Sequence, residues 1–106
     1  MKKEEALAGY REVIEGFQKL ATRVYELNKH GYLPEDEYYN LKNRIDTEIR
    51  SNDQILFNKS QIDEGIYVGY FERNDSGIRE WINGEKNLIR SLGEKIDRLA
   101  YKYGKR

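Results

Sequence analysis

Hydrophobic positions recur along this chain with a helical period almost from its first residue. Tyr10, Ile14, Phe17, Ala21 and Val24 step by four and three, and Ala6, Val13, Leu20 and Leu27 run beside them seven apart. On a helix these positions merge into one broad apolar stripe that faces a core. The pattern predicts a helix over Lys3–Lys29, about 40 Å long at ~1.5 Å per residue. Its stop is marked by polar Asn28, Lys29 and His30, followed by Gly31, which can take the left-handed conformation that closes helices.

Pro34 and the acids Glu35, Asp36 and Glu37 then read as a helix start. Proline suits the first turn, and acids complement the positive end of the helix dipole. Leu41, Ile45, Ile49 and Leu56 follow at helical spacing. A third long segment begins near Asp75 or Ser76. Ile82, Ile89, Ile96 and Tyr103 lie seven apart there, interleaved with Ile78, Leu92 and Leu99. That is a coiled-coil-like heptad pattern, with Glu85 in one apolar place.

The middle, 51–74, reads less uniformly. One helix from Pro34 to Phe71 would be about 57 Å long, against about 40 Å for its neighbours. Its seam would also carry Glu48, Asn52 and Lys59. A break is expected, with Ser60-Gln61-Ile62-Asp63 as a capping box that starts a short helix at Ser60. The alternative is a small β-hairpin at 54–71, pairing 54–58 with 66–71, because Ile-Tyr-Val-Gly-Tyr-Phe has high strand propensity. The expected fold is all-α: an antiparallel bundle of three long helices with a short fourth element, in a single domain spanning 1–106. Loops near 30–34 and 72–76 would join neighbouring antiparallel helices.

Composition narrows the chemistry. The 106 residues include no cysteine and one histidine, which excludes disulfides, thiol chemistry and most metal sites. Glu26 and His30 lie four apart with Asp36 and Glu37 just across the loop, but such a pair suits a helix end without any ion. A di-iron bundle needs two Glu-x-x-His motifs, and the chain has none. No Ser/His/acid set and no phosphate-cradling loop is present, and polar seam positions are mixed in charge. The expectation is no enzyme and no cofactor. No apolar run reaches the ~18 residues of a membrane span, and the start Met1-Lys2-Lys3-Glu4-Glu5 lacks the apolar stretch of a secretory signal, so a cytoplasmic protein with no membrane partner is expected.

Lys and Arg number 19 and Asp and Glu 19, giving zero net charge. The last 21 residues nevertheless hold seven basic and two acidic side chains. Arg90, Lys95, Arg98, Lys102, Lys105 and Arg106 therefore form a candidate nucleic-acid contact, the alternative function, with tyrosines nearby to stack on bases. Aromatic content carries the leading function. Nine tyrosines, three phenylalanines and one tryptophan exceed what a narrow core needs. Tyr67, Tyr70, Phe71 and Trp81, then Tyr32, Tyr38 and Tyr39, are the candidate partner-binding residues, because such side chains dominate interface hot spots. The uncharged run 65–71 must be covered by the fold, by a second copy in a homodimer, or by a partner. Gly9 and Gly16, and Gly77 and Gly84, lie seven apart on lines read as outer, and offer close approach to another backbone. The expected function is non-enzymatic protein–protein binding, as a regulator, inhibitor or assembly subunit. The size and lack of motifs also fit an accessory protein of a virus or mobile element.

Overall fold

A computed structural model describes residues 1–104 and shows four α-helices and, among those residues, no strand. The helices are α1 (Lys3–Lys29), α2 (Glu35–Ser60), α3 (Tyr70–Arg73) and α4 (Asp75–Gly104). The all-α bundle of three long helices with a short fourth element is therefore the observed fold. α2 runs antiparallel to both others. α1 and α4 are parallel: Glu5 meets Arg79 and Glu12 meets Lys86, each 74 residues on.

The stripes read from the sequence are the faces that pack. Tyr10, Val13, Phe17, Leu20 and Val24 of α1 meet Leu41 and Ile45 of α2 and Ile78, Ile82, Leu92 and Ile96 of α4 in one core. α1 lies against both partners, whereas α2 and α4 approach each other only sparsely. The seam between α2 and α4 is therefore the loosest of the three and leaves a groove.

The α1–α4 seam is tight because of two glycines. A Cβ on Gly9 would lie 2.5 Å from Ile82 Cδ1, and one on Gly16 would lie 2.7 Å from Ile89 Cδ1. Both glycines thus face α4 and are not on an outer line, and what approaches them is an isoleucine side chain, not a backbone. Gly77 and Gly84 do lie open, with nothing within 4 Å of a built Cβ. Ion pairs flank the same seam: Arg79–Glu5 and Lys86–Glu12 at 2.9 Å, and Arg23–Asp97. Each is exposed and screened by solvent, so these pairs add little to the packing.

The ends of α1 and α2 show where local rules hold and where they do not. α1 stops as its sequence predicts: Gly31 has φ 72°, and its N–H donates to the Asn28 carbonyl at 3.0 Å. Pro34 is the N-cap of α2. The capping-box reading at Ser60 is overturned. Ser60 ends α2, and its hydroxyl donates backward to the Phe57 carbonyl at 2.6 Å. The hairpin alternative also fails, because 54–60 complete α2 and 61–69 form turns. This stretch, not 72–76, is the connection that reverses the chain. The short helix starts at Tyr70, after Gly69 at φ 75°.

Candidate partner-binding surface and the α2–α4 groove

The turn segment 61–69 is short of apolar partners but well supplied with hydrogen bonds. Asp63 organises it. Its carboxylate accepts from the Gly65 N–H at 2.8 Å, and its carbonyl accepts from the N–H groups of Ile66 and Tyr67 at 3.1 and 2.7 Å. The Arg73 guanidinium donates to the Val68 carbonyl. At the base, Lys3 reaches from α1 to donate to the Ile62 carbonyl at 2.8 Å. The backbone of the tip is thereby fixed, while three consecutive apolar side chains point into solvent: Ile66 is 72 % exposed, Tyr67 55 % and Val68 70 %. Phe57, in the last turn of α2, is exposed as well.

The candidate binding residues divide between the two ends of the bundle. Tyr67 sits on this tip. Tyr70 is half-buried; its ring lies edge-on to Phe71, and its hydroxyl accepts from the Lys59 ammonium at 2.5 Å. Phe71 is only 2 % exposed and belongs to the core, so it plugs this end of the bundle and offers no surface to a partner. Tyr32, Tyr38 and Tyr39 lie at the other end, a helix length away. Tyr32 covers Gly104 at the end of α4, Tyr38 packs on the core, and Tyr39 is exposed beside it, with ring centroids 5.1 Å apart. Phe57, Ile66 and Val68 were not singled out in the sequence. The uncharged run held the signal for the last two, because α3 was too short to bury all of it.

Of the basic set, Arg90, Lys95, Arg98 and Lys102 are exposed on α4, and Lys102 also lies 5.0 Å from the centroid of the Tyr103 ring. Lys105 and Arg106 lie outside the described residues. Glu26 and His30 form an exposed pair at 3.8 Å. Among the described residues, no three His, Asp or Glu side chains converge to hold a metal ion, and no helix is long and apolar enough to cross a membrane.

Trp81 stands apart from both clusters. It lies on the flank of α4, 42 % exposed, at the α2–α4 groove. A hollow of about 420 Å³ on one side of it is lined by Glu48, Gly77, Glu80, Gly84 and Glu85. The bare glycines account for its room. Beneath it, three polar side chains tie the two helices together. The Trp81 Nε1–H donates to Asn52 Oδ1 at 3.0 Å, and Asn52 Nδ2 donates to Glu85 Oε1 at 3.1 Å and to the Glu48 carbonyl at 2.8 Å. An indole N–H can only donate, so it fixes which end of the Asn52 amide faces Trp81 and which faces Glu85. Asn52 is fully buried and Glu85 is 6 % exposed, yet every amide hydrogen-bonding direction aimed at α4 is used. Burial, reinforced by a hydrogen bond with the Glu48 carboxyl, pushes the Glu85 carboxyl up to about 7, against the opposing pull of Asn52 and Arg44.

Searches against protein-family models, curated proteins and solved structures found no match to this chain. The functional reading therefore rests on the surfaces themselves.

Proposed function

We propose that this chain is a small non-enzymatic binding protein that engages another protein through the tip formed by 61–69 and the end of α2. One observation carries the reading: Ile66, Tyr67 and Val68 are exposed together on a backbone that hydrogen bonds hold in place. Exposed apolar side chains gathered on one surface mark interaction sites. A fixed backbone lowers the entropy lost on docking, so the apolar area converts to affinity with less loss. Phe57 is a further exposed aromatic in the last turn of α2, and Asp63, Glu64 and Arg73 supply charges of both signs around the tip, where they govern specificity and association rate. Regulation, inhibition and assembly are all roles that such a patch serves. A homodimer through the same tip is the form this reading takes when the partner is a second copy.

The test is a comparison of proteins retained from the native host by the immobilised chain and by its Ile66→Ser and Val68→Ser variants. Loss of the same retained protein from both variants supports the tip, provided that Tyr39→Ser, at the far end, retains it. Retention unchanged by the tip variants overturns the reading. Light scattering at micromolar concentration reports the homodimer directly.

The nucleic-acid alternative rests on Lys95, Arg98 and Lys102, which are exposed at steps of three and four along α4. Fluorescence anisotropy with DNA and RNA at several salt concentrations separates the two readings. Contact with phosphates gives a steep negative slope of log K against log salt, whereas a slope near zero removes the alternative.

A further inference from the structure

The polar cluster under Trp81 is a connection between α2 and α4 that the bundle's apolar packing does not explain. Asn52 and Glu85 occupy places where the helical stripes call for apolar side chains, at the middle of the loosest seam. The groups facing Glu85 can be named from each side. α2 presents Glu48, Asn52 and Arg44, whose Nε lies 3.6 Å from Glu48 Oε1. α4 presents Glu80 along the same hollow, and Trp81. α1 presents Tyr10, which lines the adjoining cleft on the other side of Trp81 with Ile55 and Lys59. Lys59 is engaged by Tyr70 through the hydrogen bond to its hydroxyl. Arg44, on the exposed outer side of Glu48, is the only cation among the groups that act on Glu85.

The partly exposed Glu48 and the nearly buried Glu85 thus line one hollow, with one exposed guanidinium to offset them. While they share a proton, one donates to the other and Asn52 completes the bridge to Trp81. Without the proton they are two like charges, one of them almost fully removed from water, which is strongly unfavourable. The relief available is movement of α4 away from α2, because these helices approach each other only sparsely and the hollow beside them is wide enough for water. We propose that the Glu48–Glu85 pair is a proton-operated latch between α2 and α4: closed while the two carboxyls share a proton, open when that proton is lost. The range in which it operates is near neutrality, where burial and Glu48 place the Glu85 carboxyl at about 7. Opening breaks the Asn52–Trp81 hydrogen bond and enlarges the groove along Gly77 and Gly84.

The chain carries its own reporter, because Trp81 is the only tryptophan. Its fluorescence is followed from pH 5.5 to 8.5 on the full chain, with far-ultraviolet circular dichroism on the same samples. The expected result is a reversible emission shift centred near pH 7 with helix content retained. Glu85→Gln is expected to hold the low-pH emission throughout, whereas His30→Gln, which removes the only histidine, leaves the shift in place. A flat emission in the unaltered chain overturns the latch, as does a shift that survives Glu85→Gln. Carbon-13 titration of the glutamate carboxyls in the unaltered chain guards against a variant that fails to fold. A Glu85 carboxyl that titrates with the exposed glutamates there also overturns the proposal. The movement itself is read by spin labels at Ser51→Cys and Asn87→Cys, which the absence of native cysteine makes specific. A mean separation that grows over the same pH range supports opening. A constant separation beside a changing emission refutes it.

Discussion

The fit between Gly9 and Ile82 predicts that a stabilising substitution in one background is destabilising in another. Replacing a mid-helix glycine with alanine ordinarily stabilises by about 1 kcal/mol, through reduced backbone freedom in the unfolded chain. At position 9 the new methyl group would lie 2.5 Å from Ile82 Cδ1, more than 1 Å inside van der Waals contact. Ile82 is buried, so its side chain must leave its present rotamer to clear the new methyl group. Such overpacking costs about 1–3 kcal/mol, which outweighs the helical gain and leaves Gly9→Ala destabilising by about 1 kcal/mol. Ile82→Val deletes Cδ1 and nothing else. By itself it costs about 1 kcal/mol, because it leaves a methyl-sized void. In that background the nearest atoms to the new Cβ are those at 3.5 Å and beyond, which is ordinary contact.

Gly9→Ala added to Ile82→Val therefore fills the void and recovers the helical gain. The double variant is expected to match the original chain, with a coupling of about 2 kcal/mol between the two sites, well above the ~0.5 kcal/mol scatter of independent mutations. Urea denaturation of the four members of the cycle, followed by circular dichroism, measures it. Additivity within that scatter would refute the packing argument, and so would an increase in stability from Gly9→Ala alone. Gly16 with Ile89 provides a second, independent copy of the experiment at 2.7 Å.

Four further outcomes follow from the structure. Glu85 is raised from 4.5 to about 7, so its burial subtracts nothing from stability below pH 4.5, subtracts progressively between 4.5 and 7, and subtracts in full above 7. At about 1.4 kcal/mol per pH unit this is at most about 3 kcal/mol, and Glu85→Gln should gain on the original chain over that range and no further in urea melts at successive pH values. Phe71→Ala should cost about 3–5 kcal/mol in the same melts, as a large core side chain does, whereas Tyr67→Ser on the exposed tip should change stability by no more than about 0.5 kcal/mol. Gly31→Ala places a side chain at φ 72° and should destabilise by about 1 kcal/mol, with Gly31→Asn recovering part of the loss. Asn52→Leu with Glu85→Leu should leave the chain at least as stable at pH 8 while broadening its amide NMR spectrum, because it removes a buried polar bridge but also the feature that fixes register.

The long helices were legible because each must bury a stripe, and a stripe leaves a periodic trace whatever it packs against. Tyr10, Phe17 and Val24, or Ile82, Ile89 and Ile96, need no partner to be recognised. Gly31 was legible for a similar reason, since a helix end requires a local conformation that few residues adopt. Ser60 misled because a capping box is four residues of weak grammar. The hydroxyl that can cap the next helix can equally bond back to Phe57, and the chain turned before a helix could begin. The strand propensity of 66–71 misled because a strand needs a partner, and 54–58 were already committed to α2. Within that run Tyr67 and Phe71 look equivalent in sequence. They part company because Asp63 holds the first in an outward turn, while the single turn of α3 aims the second inward. The Asn52–Glu85–Trp81 bridge was half visible. Two polar residues on two seams were evident, but their meeting depends on the register between α2 and α4, which no local pattern encodes.

That register explains why the bridge lies where an apolar contact would serve as well. The α1–α4 seam repeats every seven residues: Gly9 and Gly16 on one side, Ile82 and Ile89 on the other, with Ile96 a further seven along. A slip of α4 by one heptad would set Gly9 against Ile89 and Gly16 against Ile96, and the apolar fit would survive. Of the three ion pairs only one would be regained, with Lys86 replacing Arg79 opposite Glu5, while Gly93 would face Glu12 and Gly104 would face Arg23; exposed pairs of this kind still select a register only weakly. The bridge has no such substitute. Seven residues on either side of Glu85 stand Ile78 and Leu92, and neither can accept from Asn52. A slipped bundle would bury an unpaired amide, at a cost of about 1–3 kcal/mol, and would leave Trp81 without its acceptor. A polar contact between α4 and α2 thus selects one register for a helix whose seam with α1 is repetitive. The carboxyl that does so is also the one whose proton is lost near neutrality, so the feature that fixes the alignment of α4 is the same one that can release it.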